Sequence, residues 1–178
     1  MDSLDFDAVD LLGSGDLVFF VEGDPRPQPR PRMVGKGVKK TVVSTLDEKA
    51  QMWKRRVRKA CSEAMQNRSG VSRTKLAGKL YGGVRIDMIF LFQTKDKARH
   101  GEFKLSVPDK DNLEKLVLDA FEMSGLFEKG DAQVCAGDVQ KYWTCDRAGL
   151  MVKISRAENV FKENEGDAIK QRPQGLGF

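Results

Sequence analysis

Two stretches with the apolar spacing of an amphipathic helix alternate with β-like apolar runs, and this alternation most constrains the fold. The first helical stretch follows Thr45 and Glu48, which are spaced as a capping box, and it is predicted to run to about Asn67. The second is predicted to begin near Asp109–Asp111 and to end at about Met123. Neither stretch can fold alone, because each needs a partner for its apolar face.

β-rich runs lie on either side of these helices. Strands are predicted over residues 17–22, 41–44, 84–92, 132–143 and 150–155. The last two are separated by a turn and are expected to pair as a terminal hairpin, whereas polar residues 93–106 are predicted to form a mobile loop. The order of the main elements, β-α-β-α-β-β, predicts an α+β fold: a two-layer domain with a mixed β-sheet and two main helices.

The charge divides the chain into three parts. The net charge is +5, but residues 1–16 contain five Asp and no Lys or Arg, and residues 156–178 are balanced. Residues 17–155 therefore carry +10. We predict a folded domain over 17–155, a flexible acidic segment over 1–16 and a polar tail over 156–178. So basic a domain favours a polyanionic partner, most often nucleic acid.

Several classes of protein are disfavoured by composition. No run approaches the roughly 20 apolar residues of a membrane span, and the first 16 residues lack the pattern of a secretory signal peptide. Three scattered cysteines and the single histidine, His100, make a disulfide scaffold, a zinc site or histidine-based catalysis improbable. We expect a cytoplasmic protein that does not bind membranes.

Basic residues cluster in two places that could contact DNA. Four prolines keep the first cluster, within residues 23–40, extended, and the second lies on the first predicted helix, off its apolar stripe. The candidate contacts are Arg26, Arg30, Arg32, Lys36, Arg55 and Arg58. Arginine can bind a phosphate with two parallel hydrogen bonds. The alternative is a cationic surface that only confers solubility.

Three aspartates flank the second predicted helix. Asp109 and Asp111 stand two residues apart at its start, and Asp131 follows it. A returning strand could bring Asp131 back beside the other two, where three carboxylates would repel each other unless Mg²⁺ bound them. Lys115, one turn after Asp111, could contact a scissile phosphate. The alternatives are helix capping for the aspartates and an ordinary helix salt bridge for Lys115.

The segment PDKDNLEKLVLDAF, followed by GDAQV and then by Lys141, resembles the RusA family of Holliday-junction resolvases, which phages and prophages often carry. The upstream GDPRPQPRPR is similar to that family's Gly-x-Pro and Arg-Pro-Arg loop. The resemblance covers residues 17–155 and is most specific over 107–141. It departs at Gly130, where the family has the first of two aspartates, and the segment before Asp131 is one residue longer.

The resemblance implies a RusA-like fold and a set of site residues. It implies that Asp109, Asp111, Asp131 and Lys115 are catalytic residues. The three aspartates would bind Mg²⁺, or Mn²⁺ as a substitute. It gives Lys141 a contact with DNA and Asp119 a structural or supporting position near the metal.

The implied activity is a Mg²⁺-dependent endonuclease. It would act as a homodimer on four-way DNA in recombination and repair, with paired symmetric nicks, in a bacterial or phage-infected host cytoplasm. Two alternatives stay open: a nucleic-acid-binding protein without catalysis, and a metal-dependent nuclease for other branched DNA.

Overall fold

The computed structural model describes residues 16–29, 46–69, 80 and 82–157, together with the backbone of two short strands. The strands are β1 (Leu17–Glu22), β2 (Arg32–Val34), β3 (Thr41–Val43), β4 (Val84–Gln93), β5 (Val134–Ala136), β6 (Val139–Thr144) and β7 (Gly149–Arg156). The α-helices are α1 (Glu48–Ser69) and α2 (Lys110–Ser124). Short 3₁₀ helices span Lys97–Arg99 and Asp131–Gln133.

The centre of the main sheet is β4, in which every second residue from Val84 to Phe92 is buried. It pairs antiparallel with β7 and parallel with β6, while β1 pairs antiparallel with the outer side of β7. The five-stranded sheet is therefore mixed, with the order β1-β7-β4 followed by β5 and β6. The α+β prediction, with a mixed sheet and two helices, is confirmed.

Both helices pack their apolar stripes into the core beside the sheet. Helix α1 begins at the residue after Asp47, whose side chain accepts a 2.7 Å hydrogen bond from the Ala50 N–H. The predicted capping residue Thr45 lies outside the described residues. Trp53 and Cys61 are buried, as expected for core positions. Burial raises the pKa of the Cys61 thiol to about 11, so this thiol is an inert packing group.

The predicted terminal hairpin is wrong. Strands β6 and β7 lie on opposite sides of β4, because the long, buried β4 pairs with both of them. The predicted strand 132–143 is also divided into β5 and β6 at Gly137, which has a φ of +150°. A Cβ at this position would overlap the Ile86 carbonyl oxygen, so only glycine allows this approach between the two strands.

The segment predicted as a mobile loop, residues 93–106, is held against β6 by backbone hydrogen bonds. The Gly101 N–H donates to Trp143 (2.9 Å), and the Lys104 N–H donates to the Lys141 carbonyl (2.9 Å). Its many charged residues favoured a loop, but the pairing with β6 depends on long-range contacts that a local pattern does not report.

The connection from β4 through α2 to β6 is a crossover between parallel strands. Helix α2 therefore starts at the end of the sheet where β4 finishes, and it ends where β4 begins. This topology decides where the candidate residues on either side of α2 can lie. Within the described ranges, no helix is long and apolar enough to cross a membrane.

Candidate active site

A cleft of about 1210 Å³ opens at the end of the sheet where β4 finishes. The Pro/Arg segment 24–29 forms one wall and the start of α2 the other, and the Gln28 N–H joins them by donating to the Asn112 carbonyl (2.7 Å). The polar and aromatic lining comprises Asp24, Arg26, Gln28, Asp47, Phe92, Gln93, Lys104, Asp109, Asn112 and Trp143. The structure thus brings the Pro/Arg segment and the acidic helix start, which are about 80 residues apart in sequence, into one site.

The three polar residues of the α2 start are presented to solvent. Asp109 occupies the N-cap position with an extended backbone, yet its side chain makes no capping hydrogen bond. Asp111 in the first turn and Lys115 one turn later are both exposed. Among the described residues, the ion pairs do not include one between Asp111 and Lys115. Capping and a helix salt bridge, the two structural alternatives, are therefore not what these side chains do here.

Asp131 lies at the other end of α2. It opens the second 3₁₀ helix directly after Gly130, and Gly130 faces Glu122 near the end of α2. At 1.5 Å per residue, the stretch from Asp111 to Glu122 spans roughly 17 Å. In the described part of the chain, no group of three or more Asp, Glu, His or Cys could hold a metal ion. The expectation that Asp131 returns beside Asp109 and Asp111 is wrong within one chain, because the crossover leaves it at the far end of the helix.

Gly130 has a local structural reason to replace an aspartate. Its φ of +79° lies in the left-handed region that favours glycine. A Cβ at this position would stand 2.9 Å from the Glu122 carboxylate oxygen. An aspartate here would therefore combine backbone strain with like-charge repulsion, so the departure from the family pattern suits this chain's own packing.

Gln133, in the GDAQV segment, anchors the region after α2. Its Nε2 donates to the carbonyls of Leu80 (3.0 Å) and Gly82 (2.9 Å), and its Oε1 accepts from the Lys129 N–H (2.6 Å). The side chain is buried, and these three bonds satisfy most of its capacity. This part of the motif is therefore structural, although sequence reasoning used it only as a family signature.

Asp119 pairs with Lys54 across the two helices. The Lys54 ammonium lies 3.0 Å from the Asp119 carboxylate, and both side chains are largely shielded from solvent. This ion pair ties α1 to α2, so the structure gives Asp119 a packing role.

The predicted DNA contacts are distributed over two surfaces. Arg26 lines the cleft and pairs with Asp24, whereas Arg55 and Arg58 are exposed on α1. The side chains of Arg30, Arg32 and Lys36 lie outside the described residues. Of these arginines and Lys36, the described structure places only Arg26 beside the acidic helix start; Lys141, the remaining predicted contact, also lies there.

Two lysines lie close in space to the start of α2. The Lys141 ammonium donates to the carbonyls of Ser106 (3.1 Å) and Pro108 (2.8 Å), directly before Asp109. Lys104, which sequence reasoning missed, is only 6% exposed and lines the cleft. Burial, and then the charges of Lys141 and Arg99, lower the pKa of Lys104. The alternation of Lys104 with Phe103 and Leu105 predicts an exposed lysine, so the local sequence contains no signal that could have found it.

A mixed-sheet α+β domain with an acidic helix start beside a basic loop is suited to binding and processing nucleic acid. The family model of endodeoxyribonuclease RusA matches residues 22–155, from the end of β1 into β7. The chain therefore belongs to the RusA family of DNA endonucleases, and the resemblance seen in the sequence is confirmed. The comparison with curated proteins gives no match.

Proposed function

We propose that this protein is a Mg²⁺-dependent endonuclease that resolves Holliday junctions in DNA recombination and repair. It would act as a homodimer and make paired symmetric nicks. The observation that carries this proposal is the cleft in which the Pro/Arg segment 24–29, with Arg26, contacts the helix start with Asp109 and Asp111. Membership of the RusA family supports it.

The residues of this cleft have the chemistry that hydrolysis of a phosphodiester requires. Asp109 and Asp111 offer carboxylate oxygens, the ligands that Mg²⁺ prefers, and Mn²⁺ can take similar ligands. A bound Mg²⁺ would activate water and stabilise the charge on the scissile phosphate. Lys115 is on the same exposed turn and can donate to a phosphate or leaving oxygen. Arg26 and Lys141 would hold the DNA backbone, since acidic ligands alone would repel it.

A homodimer would also complete the set of carboxylates. One chain holds Asp131 at the far end of α2, so Asp131 can join Asp109 and Asp111 only from a second copy. A two-fold axis would then make two such sites. A four-way junction has matching two-fold symmetry, which is what paired nicks on opposed strands require.

One observation favours the alternative of a DNA-binding protein without catalysis. Among the described residues of a single chain, no three acidic, histidine or cysteine side chains are grouped to hold a metal ion. A monomeric protein would therefore bind through its +10 domain without cutting. A metal-dependent nuclease that prefers flaps or forks is the other alternative, and competition between substrates separates it from a junction resolvase.

The test is nicking of an end-labelled immobile four-way junction in Mg²⁺, in Mn²⁺ and in EDTA. The wild type is compared with Asp111→Asn, which keeps the side-chain shape and removes the charge. Glu63→Gln is the matched control, because Glu63 is an exposed carboxylate on α1 with only a 3.6 Å pair to Lys59. Flap and linear duplex DNA are added as competitors.

We expect symmetric nicks that need the metal and are lost in Asp111→Asn, with junction binding retained and Glu63→Gln unchanged. Tight junction binding without nicks by the wild type in either metal would instead establish a binding protein. Equal cutting of flaps and junctions would establish a broader nuclease.

A further inference from the structure

In the segment from Phe103 to Val107, apolar side chains are exposed and a lysine is buried, which is the reverse of the usual arrangement. Phe103, Leu105 and Val107 point outward and are 61%, 92% and 76% exposed, whereas Lys104 points inward at 6%. Lysine is almost never fully buried unless it is paired. Removing an ammonium from water is unfavourable, so its burial here calls for a compensating interaction.

Among the residues that the structure describes, Lys104 has no carboxylate partner. Its ammonium lies 4.2 Å from the ring centre of Trp143 and 5.1 Å from that of Phe92, and it donates to the Ser106 hydroxyl (2.6 Å). Within the described ranges, the ion pairs do not include Lys104. The aromatic faces offset part of the desolvation but leave the charge without a counterion.

A second ammonium is held close by in the same way. Among the described residues, Lys141 donates to carbonyl oxygens alone, those of Ser106 and Pro108, so Ser106 is bonded by both lysines. The Lys141 charge is one of the causes that lower the pKa of Lys104, which shows that the two repel each other. The Arg99 guanidinium, 5.7 Å from the Trp143 ring centre, adds to the positive potential.

Among the described residues, the ion pairs do not join an acidic group of the cleft to either lysine. Asp24 pairs with Arg26, and Asp47 caps α1 through the Ala50 N–H. Asp109 follows Pro108, the residue whose carbonyl Lys141 binds. Two repelling ammonium groups that neutral partners hold in place beside a catalytic carboxylate form a site that an anion would complete.

We propose that Lys104 and Lys141 together bind one DNA phosphate, a phosphodiester adjoining the cleaved bond, and so place the scissile bond at Asp109. This assignment rests on the proposed nuclease function and names a substrate contact for that site. Lysine has three N–H donors: Lys104 uses one on Ser106, and Lys141 uses two on carbonyls. Each therefore keeps a donor for a non-bridging phosphate oxygen, and the phosphate removes the repulsion between them.

The test measures affinity for the immobile four-way junction in EDTA, where no cutting occurs, over a series of NaCl concentrations. Lys104→Met keeps the length and the contact with the rings but removes the charge. We expect binding to weaken about tenfold and the slope of log K against log salt to fall by about 0.9, the value for one lost phosphate contact. Lys104→Arg should retain most of the slope. Lys153→Met is the control, because Lys153 is an exposed lysine on β7 that pairs with Asp16.

The double variant Lys104→Met/Lys141→Met separates one phosphate from two. If both lysines bind a single phosphate, the slope of the double variant falls by about 0.9 in total, whereas two independent contacts would give about 1.8 and overturn the shared site. A folded Lys104→Met protein with unchanged affinity and slope would also overturn the proposal. Should Lys104→Met not fold, Lys141→Met must still show the loss of slope.

Failure of this proposal is distinguishable from failure of the nuclease function. Binding in EDTA does not depend on catalysis, so the lysine variants are informative even if the wild type never cuts. Conversely, normal salt dependence in the lysine variants, together with loss of nicking in Asp111→Asn, would leave the nuclease intact and remove only the phosphate site.

Discussion

The two ends of α2 show how one sequence motif can divide between two tasks. At the first end, the Asp109 side chain makes no capping hydrogen bond, and Asp111 and Lys115 are exposed near the cleft that Arg26 and Lys104 line. At the other end, Gly130 fits a left-handed turn, and the buried Gln133 is bonded on both its oxygen and its nitrogen. Exposed polar groups that could meet a substrate are therefore gathered at one end, and polar groups that hold the fold at the other.

Asp131 is the residue that does not fit this division. By position it lies at the end of α2 that Gln133 anchors (the anchored end). Its side chain is nevertheless exposed, and it is a carboxylate like those of Asp109 and Asp111 at the start of α2 (the acidic end). If a second copy of the chain brings it to Asp109 and Asp111, the two ends meet across a dimer. The first prediction tests this point, and the later ones test the division itself.

The largest effect is expected from mixing two inactive variants. Asp111→Asn and Asp131→Asn should each lower nicking at least about 100-fold, as expected when a metal ligand is lost. If each site takes Asp111 from one chain and Asp131 from the other, a mixed dimer keeps one intact site. Co-refolding the two variants should then restore roughly a quarter of the wild-type rate of single nicks, since random pairing makes half of the dimers mixed.

Sites built within one chain would give a different result, because a mixed dimer would then contain no intact site and the mixture would stay inactive. Each variant refolded alone is the control for spontaneous recovery. Size-exclusion chromatography of the mixture confirms that the chains have assembled.

The next effect concerns stability at the anchored end. Gln133→Ala should lower the free energy of unfolding by about 2–3 kcal/mol, because it removes the three hydrogen bonds that this buried side chain makes to Leu80, Gly82 and Lys129. Urea unfolding measures this. Gln51→Ala, at an exposed glutamine of α1, should change the free energy by less than about 0.5 kcal/mol. Equal effects of the two substitutions would contradict an anchoring role for Gln133.

A smaller effect is expected when the family's aspartate is introduced at Gly130. Gly130→Asp should destabilise the fold by about 1–2 kcal/mol, since a side chain is strained at φ +79° and would meet the Glu122 carboxylate. Gly130→Ala separates the backbone strain from the charge. Adding Glu122→Gln to Gly130→Asp should recover the part due to repulsion, and an increase in thermal stability in Gly130→Asp alone would refute the account.

The fold could be predicted from sequence where the signal is local. The apolar period placed both helices within a few residues, and the β-rich apolar run placed β4. The pairing of β7 between β1 and β4 could not be predicted, because the short connection after β6 is equally compatible with a hairpin. Residues 93–106 were misjudged for a related reason, since their charges favour solvent but their backbone bonds reach distant Trp143 and Lys141.

The candidate site was predictable in part for the same physical reason. Asp109, Asp111 and Lys115 lie within two helical turns, so their spacing alone placed them on one helix start. The position of Asp131 depends on the direction in which the chain returns, and a crossover helix separates its ends by its full length. Lys104 was missed because a lysine among alternating apolar residues suggests an exposed position, whereas here the apolar residues are the exposed ones.

The smallest effect is expected at Asp119, which lies between the two ends. If its carboxylate only ties α2 to α1, Asp119→Asn should lower the free energy of unfolding by about 0.5–1 kcal/mol, the range for a partly exposed ion pair. Lys54→Met should have a similar effect, and the double variant should lose no more than the larger of the two, because both remove the same interaction. Nicking should stay within about twofold of wild type in all three. A tenfold fall in nicking in Asp119→Asn, with Lys54→Met unaffected, would instead place Asp119 with the acidic end of the helix, since then its charge and not its ion pair would matter for the chemistry.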